Sequence, residues 1–107
     1  MSRYEVTVKG QGIAVPIGGS LAVRFLRIVQ VSAQGPVEAE ICAVKLVESE
    51  WASSAYAARN RSDPPYLTIN AIGVLSWWHR LLGAPKGYIF FSDDGAQMPS
   101  DARGSGW

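Results

Sequence analysis

The sequence contains one histidine, His79, and one cysteine, Cys42, and the two lie in different segments of the chain. A zinc site needs several such ligands, and nucleophilic catalysis needs a nucleophile beside a base. A single cysteine also excludes a disulfide bond within the chain. No glycine-rich motif of the kind that holds phosphate or a dinucleotide is present. The sequence therefore predicts no metal site and no cofactor, and it favours a protein that is not an enzyme.

Charged side chains are also scarce. They make up 18% of the residues, whereas hydrophobic residues make up 48%. About a quarter of the residues in an average domain are charged, so this chain has more apolar surface than it can easily bury. That excess predicts a protein partner or a second copy of the chain. The net charge of +1 lacks the basic excess that is usual in nucleic-acid-binding domains, which disfavours nucleic acid as a partner.

Long apolar segments are absent as well. Residues 1–5 lack the apolar stretch of a signal peptide, and no run approaches the length of a membrane-spanning helix. A lone free cysteine fits a reducing compartment, so we predict a cytoplasmic protein without a membrane contact. The 107 residues fit one domain, which we place at residues 1–95. Residues 96–107 have no hydrophobic period and are expected to form a flexible C-terminal tail.

Several segments have the pattern of β-strands. Residues 3–9 alternate apolar and polar side chains, and residues 88–91 are aromatic and β-branched. Residues 21–32 and 37–48 are two long runs rich in β-branched residues, separated by a glycine and a proline. They predict an antiparallel hairpin over residues 21–48. A helix remains the alternative for these runs, because alanine, leucine and glutamate are good helix formers.

Apolar residues recur with a different spacing after the prolines at positions 64 and 65. Ile69, Ile72, Leu75 and Leu82 recur at helical spacing, and Gly83 follows as a stop signal. We therefore predict a helix over residues 69–82, which Gly73 weakens. The predicted fold is α+β. An antiparallel sheet of four to five strands has the hairpin of residues 21–48 at its centre, and the helix packs on one face.

Two segments are candidate partner-binding sites. Trp77, Trp78 and Arg80 are of the residue types most enriched at binding hot spots, although both tryptophans equally suit a core. Arg59 and Arg61 lie in a predicted loop, where forked guanidinium groups can bind a carboxylate or phosphate. The first hypothesis is a non-enzymatic protein-binding module: an adaptor, an assembly subunit or an inhibitor of a larger complex that acts by covering a surface.

The alternative hypothesis is a binder of a small or anionic ligand, or a minor enzyme, with a pocket between the sheet and the helix. Tyr56, Tyr66 and Tyr88 would line that pocket, and an arginine of the 59–61 loop would hold the anionic group. A third hypothesis, binding of nucleic acid through arginines and interleaved aromatic residues, is disfavoured by the low net charge.

Overall fold

The computed structural model describes residues 2–74 and 87–98 of the chain. In chain order the elements are β1 (Ser2–Ile17), β2 (Ser20–Ala33), α1 (Pro36–Ala52), α2 (Ala55–Arg59), β3 (Tyr66–Val74) and β4 (Tyr88–Ser92). The four strands form one antiparallel sheet in the order β3-β1-β2-β4, and α1 packs on one face of it. The predicted α+β fold with an antiparallel sheet of four to five strands is thereby confirmed, and the sheet has four strands. Neither helix in the described residues is long and apolar enough to cross a membrane.

The long hairpin of the sheet joins β1 to β2. Alternate residues of β1 are buried under α1, beginning with Tyr4, Val6 and Val8, as the period of two in the sequence predicts. Gly18 and Gly19 make the turn with φ values of +56° and +86°, a conformation that suits glycine. The hairpin therefore lies earlier in the chain than the predicted hairpin of residues 21–48.

The prediction of a strand over residues 37–48 is wrong, because this run is the greater part of α1. Pro36 occupies the first turn, where its missing N–H costs nothing, and Glu38 places a negative charge near the helix N-terminus. Ala39, Ala43 and Val47 recur every four residues and are fully buried against the sheet. The two small alanines let the helix approach the strands closely, and strand propensity does not decide the outcome.

The prediction of a helix over residues 69–82 is wrong for its first part. Residues 69–74 belong to β3, which pairs with β1 over its whole length. Ile69 and Ile72 have both helical and strand-like spacing once a bulge is allowed, and Asn70 is that bulged residue. Gly73 also fits a strand end better than a helix interior. Residues 75–82 lie outside the described part of the chain.

The core fills the space between α1 and the sheet. Phe25 is fully buried and lies over Gly10 of the neighbouring strand. A Cβ atom at position 10 would stand 2.3 Å from the Phe25 ring, so glycine is required there. The remaining buried side chains come from β1, β2, both helices, β4 and the segment after it, and are Tyr4, Val6, Val8, Ile13, Val15, Ile17, Ala22, Val29, Val31, Ala33, Ala39, Ala43, Val47, Trp51, Tyr56, Phe90 and Met98.

The chain folds back along the outer side of β4 after a turn at residues 93–95. The amide of Met98 donates to the Phe90 carbonyl at 2.8 Å, and Gln97 forms a bridge with Phe91. The Met98 side chain is buried. Residues 96–98 are thus in contact with the fold, and residues 99–107 of the predicted tail lie outside the described residues.

Candidate functional site

A cluster of aromatic rings occupies the core at the β4 side of α1. Phe25 and Trp51 stack with their ring centroids 5.0 Å apart, and Trp51 stacks on Tyr56 at 6.1 Å. Phe90 lies 4.6 Å from Tyr56, and Tyr88 meets Tyr56 edge-on at 5.4 Å. These offset and edge-on arrangements are the favourable ones for aromatic pairs. The rings fill the space between α1 and the β2–β4 side of the sheet.

One ion pair borders this cluster. Arg27 of β2 donates to both carboxylate oxygens of Glu50 on α1, at 2.8 and 3.0 Å, and its third nitrogen donates to the Ile28 carbonyl at 2.7 Å. The guanidinium carbon also lies 5.8 Å from the centre of the Tyr88 ring. The buried Tyr88 hydroxyl makes no well-formed hydrogen bond to any described residue. Arg27 and Glu50 therefore join the helix to the strand beside β4.

The pKa values of Arg27, Glu50 and Tyr88 are all shifted away from neutral pH. The hydrogen bonds from Arg27 lower the pKa of Glu50, and the same bonds raise the pKa of Arg27. Burial raises the pKa of Tyr88, and the negative charge of Glu50 adds to the effect. An acid–base catalyst works best with a pKa near the working pH, and all three groups have been moved away from it. The arrangement suits a structural role, in which the ion pair joins α1 to β2.

A half-open pocket of about 260 Å³ lies between the C-terminal end of α1, α2 and the start of β3. Its lining residues are Glu48, Trp51, Ala52, Ala57, Asn60, Ser62, Pro64, Pro65 and Leu67. The Asn60 side chain is already engaged: its oxygen accepts from the Ala14 and Ser62 amides, and its nitrogen donates to the Asp63 carbonyl. Glu48 is the one ionisable side chain in the lining. The pocket thus has no cationic group for an anionic ligand.

The two arginines of the predicted anion-binding loop lie beside this pocket without lining it. Both are exposed, and Arg59 lies over the Tyr56 ring with its guanidinium carbon 5.7 Å from the ring centre. The Arg61 amide donates to the Ala14 carbonyl at 2.8 Å, which fixes the loop to β1. Arg59 thus contacts one ring of the aromatic cluster, and neither arginine lines the pocket.

An apolar stripe covers the outer side of α1. Val37 is 70% exposed and Ile41 is 52% exposed, and Val44 follows three residues later. Glu48 continues the same line, since residues spaced by three and four lie on one side of a helix. Exposed apolar side chains that lie next to one another on a helix are a candidate contact surface.

This stripe lies on the side of α1 that faces β3. Glu48 and Ala52 share the pocket with Leu67, so their side of α1 faces the first strand of the sheet order. On the helix side of β3, Leu67, Ile69 and Ile72 are only half-buried against the core. We call the surface made of Val37, Ile41 and Val44 with strand β3 the edge surface. It is apolar, and the part belonging to β3 contains no charged residue.

The structure separates the three tyrosines that were predicted to share a ligand pocket. Tyr56 and Tyr88 meet in the aromatic cluster. Tyr66 is 72% exposed and pairs with Gln11, one register position from the pair of Gly10 and Leu67 that faces the core. Successive strand residues point to opposite faces, so Tyr66 lies on the face of the sheet away from α1.

The predicted anchors Trp77, Trp78 and Arg80 lie outside the described residues. The edge surface is a candidate that the sequence-based prediction missed, because the run of residues 37–48 was interpreted as a strand. A helical reading of the same residues carries the signal: apolar side chains at positions 37, 41 and 44 lie on the side opposite to the buried alanines.

Comparison with protein-family models, with curated proteins and with solved structures finds no match for this chain. Within residues 2–74 and 87–98, no three histidine, cysteine, aspartate or glutamate side chains group so as to hold a metal ion. The candidate function therefore depends on the surfaces and contacts of the structure itself.

Proposed function

We propose that this protein is a binding module that acts by covering a surface of a partner protein, and that the edge surface is its contact. The observation that carries the proposal is the exposure of Val37 and Ile41, at 70% and 52%, on the side of α1 opposite to the buried Ala39 and Ala43. Burying such side chains against a partner removes apolar area from water, which is the main driving force of protein association.

Charge supports the choice of this surface. The β3 part of the edge surface contains no charged side chain, as in the centre of most protein interfaces, where charged residues are depleted. On α1, Glu40 and Glu48 lie next to the apolar stripe. The exposed arginines at positions 59 and 61 lie near one end of it, beside the pocket. Arginine at the rim of an apolar patch can add bidentate hydrogen bonds to a carboxylate of the partner. In this proposal Arg59 and Arg61 are rim contacts, and the protein works in the cytoplasm.

The alternative, binding of an anionic small ligand, has weaker support. The pocket beside α1 is large enough for a small molecule, but its one ionisable lining residue is Glu48, a carboxylate. Like charges repel, so an anion would be disfavoured there. An uncharged apolar ligand is the form of this alternative that the pocket favours, and it would be detected by chemical-shift changes at Trp51 and Leu67 on titration.

The proposal is tested by site-specific photo-crosslinking in cells that produce the protein. A photoreactive residue replaces Ile41 in one variant and Leu46 in a matched control. Leu46 is also exposed, at 44%, but lies about 140° further around the same helix. We expect a crosslinked protein, identified by mass spectrometry, at position 41 and none at position 46.

The partner found in this way is then purified and its affinity is measured. Ile41→Lys should weaken binding by about tenfold or more, as for a residue central to an interface, while Leu46→Lys changes it by less than about twofold. Equal crosslinking at the two positions, or no crosslink at position 41, would contradict the proposal.

A further inference from the structure

A second pocket, of about 360 Å³, lies over the two central strands of the sheet. Its lining residues are Lys9, Gln11, Gly12, Ile13, Val23 and Arg24, all of β1 and β2. The register of these strands shifts between Gln11 and Val15, and the pairing of β2 with β4 shifts at Val23. Irregular pairing bends a strand and redirects its side chains. The pocket is therefore a consequence of two irregularities at the same level of the sheet.

Three polar side chains of this lining lie on the face of the sheet away from α1. Gln11 pairs with Arg24 of β2, and Lys9 lies two residues before Gln11 on β1. Their neighbours Gly10 and Phe25 are buried on the α1 side, and successive strand residues point to opposite faces. Lys9 and Arg24 are diagonal neighbours across the two strands, so their Cβ atoms are about 7 Å apart. Two long cationic side chains at this separation can bind one anionic group together.

The charge of this pocket is positive. Lys9 and Arg24 are the two ionisable residues of the lining, and neither forms a salt bridge with a described residue. Arg24 extends towards the turn after β4, because a Cβ atom at Gly95 would lie 3.4 Å from its guanidinium nitrogen. Asp94 of that turn balances part of the Arg24 charge, but its carboxylate accepts hydrogen bonds from within the turn. Glu5 is on the same face of β1 as Lys9 but lies about 13 Å further along the strand. An anion in the pocket would therefore reduce the repulsion between the two cations.

An exposed aromatic ring borders the pocket on its β3 side. Tyr66 is 72% exposed and pairs with Gln11, so it lies on the same face of the sheet, about 5 Å away across the strands. Tyr66 is also a diagonal neighbour of Lys9, whose own partner on β3 is Thr68. A nucleobase has a planar face that stacks on such a ring, and its phosphate is an anion that lysine and arginine bind. The amide of Gln11, between the ring and Arg24, offers both a donor and an acceptor to a base edge.

We propose that this pocket binds a nucleotide, with the phosphate between Lys9 and Arg24 and the base stacked on Tyr66. The nucleotide is either free or a unit of single-stranded nucleic acid, because both present the same phosphate and base. The net charge of +1 gives the chain little long-range attraction for a polyanion, so binding depends on these local contacts. The site lies on the face of the sheet away from α1, and it is independent of the proposed function.

The first test is a titration of the purified chain with adenosine monophosphate at about 50 mM salt, followed through amide chemical shifts. The shifts should change at residues 9–12, 23–24 and 66. Adenosine and inorganic phosphate, as separate probes, should each bind at least about tenfold more weakly, because each makes only one of the two contacts. Raising the salt to about 500 mM should weaken the binding of both phosphate-bearing probes and leave that of adenosine unchanged. Adenosine monophosphate that causes no shift change at these residues, or that binds no tighter than phosphate alone, overturns the inference.

The second test uses variants whose folding is checked by circular dichroism. Lys9→Gln should weaken the binding of adenosine monophosphate by about tenfold, since it removes one of the two cations. Lys45→Gln is the matched control, because Lys45 is exposed on α1, on the other side of the sheet, and its loss should change binding by less than about twofold. Tyr66→Ala should weaken the nucleotide but not inorganic phosphate, and Tyr66→Phe should keep the parent affinity. Equal losses in Lys9→Gln and Lys45→Gln would show non-specific attraction and would overturn the inference.

The source of the nucleotide is determined with Phe91. It pairs with Arg24, so it lies on the same face and at the other end of the row that begins with Tyr66 and Gln11. A single strand across this row can stack a second base on Phe91, whereas a free nucleotide on Tyr66 leaves it uncontacted. For a strand, Phe91→Ala should weaken an eight-residue oligoadenylate by about tenfold and leave adenosine monophosphate unchanged. For a free nucleotide, Phe91→Ala should change the affinity of neither probe.

Discussion

The two edge strands of the sheet differ in length and in how far the chain covers them. At the β4 edge the strand has five residues, the chain turns back beside it, and Phe90 and Met98 are buried in the core. At the β3 edge the strand has nine residues, and its helix-side residues Leu67, Ile69 and Ile72 remain half-exposed. One edge is completed by its own chain, and the described residues leave the other open.

The salt bridge that joins α1 to the sheet also lies on the β4 side. Arg27 and Glu50 form the salt bridge that the structure shows within residues 2–74 and 87–98, next to Tyr88 of β4. On the β3 side α1 presents the apolar stripe and the pocket. The β4 side thus contains the contacts that join α1 to the sheet, and the β3 side contains the surface to which the proposed function assigns binding.

The largest effect is expected from removing the anchor of the β4 edge. Phe90→Ala should lower the free energy of unfolding by about 3–5 kcal/mol, because a buried ring in contact with Phe25 and Tyr56 is lost. Ile72→Ala on β3 should cost about half of the 2–5 kcal/mol typical of a fully buried isoleucine. Urea denaturation at low protein concentration measures both. Equal losses would contradict the contrast between the edges.

An intermediate effect is expected in the turn that lets the chain cover β4. Gly95 has a φ of +86°, and a Cβ there would lie 3.4 Å from a guanidinium nitrogen of Arg24. Gly95→Ala should cost about 1 kcal/mol and should speed hydrogen exchange of the Met98 amide. Gly73→Ala on β3 is the matched control, with free space around its Cβ and no positive φ. It should be neutral or slightly stabilising, and a loss equal to that of Gly95→Ala would be evidence against a special role of the turn.

The smallest effect is expected from the salt bridge, and it depends on pH. The pKa of Glu50 is lower in the folded chain than its ordinary value of 4.5, so the pair contributes stability above that pH. The contribution disappears as the pH falls through the folded pKa. Because the Glu50 side chain is 37% exposed, we expect Glu50→Gln to cost only about 0.5 kcal/mol at pH 7, and less below about pH 4.

Glu48→Gln is the control for this series, since Glu48 is exposed on the same helix and forms no salt bridge with a described residue. Its unfolding free energy should follow the parent at every pH. A pH-independent difference between the parent and Glu50→Gln would show that the lost stability came from packing and not from charge.

Local patterns were sufficient for part of the fold. The strands over residues 3–9 and over residues 88–91 were predicted correctly, because a period of two and an aromatic, β-branched run are patterns that act over a few positions. The candidate site was not predictable in this way. The edge surface exists because residues 37–44 form a helix beside a strand that begins at Tyr66. A local sequence pattern does not predict which elements lie side by side.

The sequence by itself determined that the protein is a small α+β domain, with few charges and more apolar side chains than one core can bury. Tertiary structure alone decided which ambiguous segment became the helix. Residues 37–48 and 69–74 each contain good helix formers and good strand formers. Intrinsic propensity therefore does not clearly favour a helix or a strand for either segment. The difference came from packing. Ala39 and Ala43 allow a helix to lie close to the sheet, whereas Ile69 and Ile72 gain a ladder of hydrogen bonds with β1.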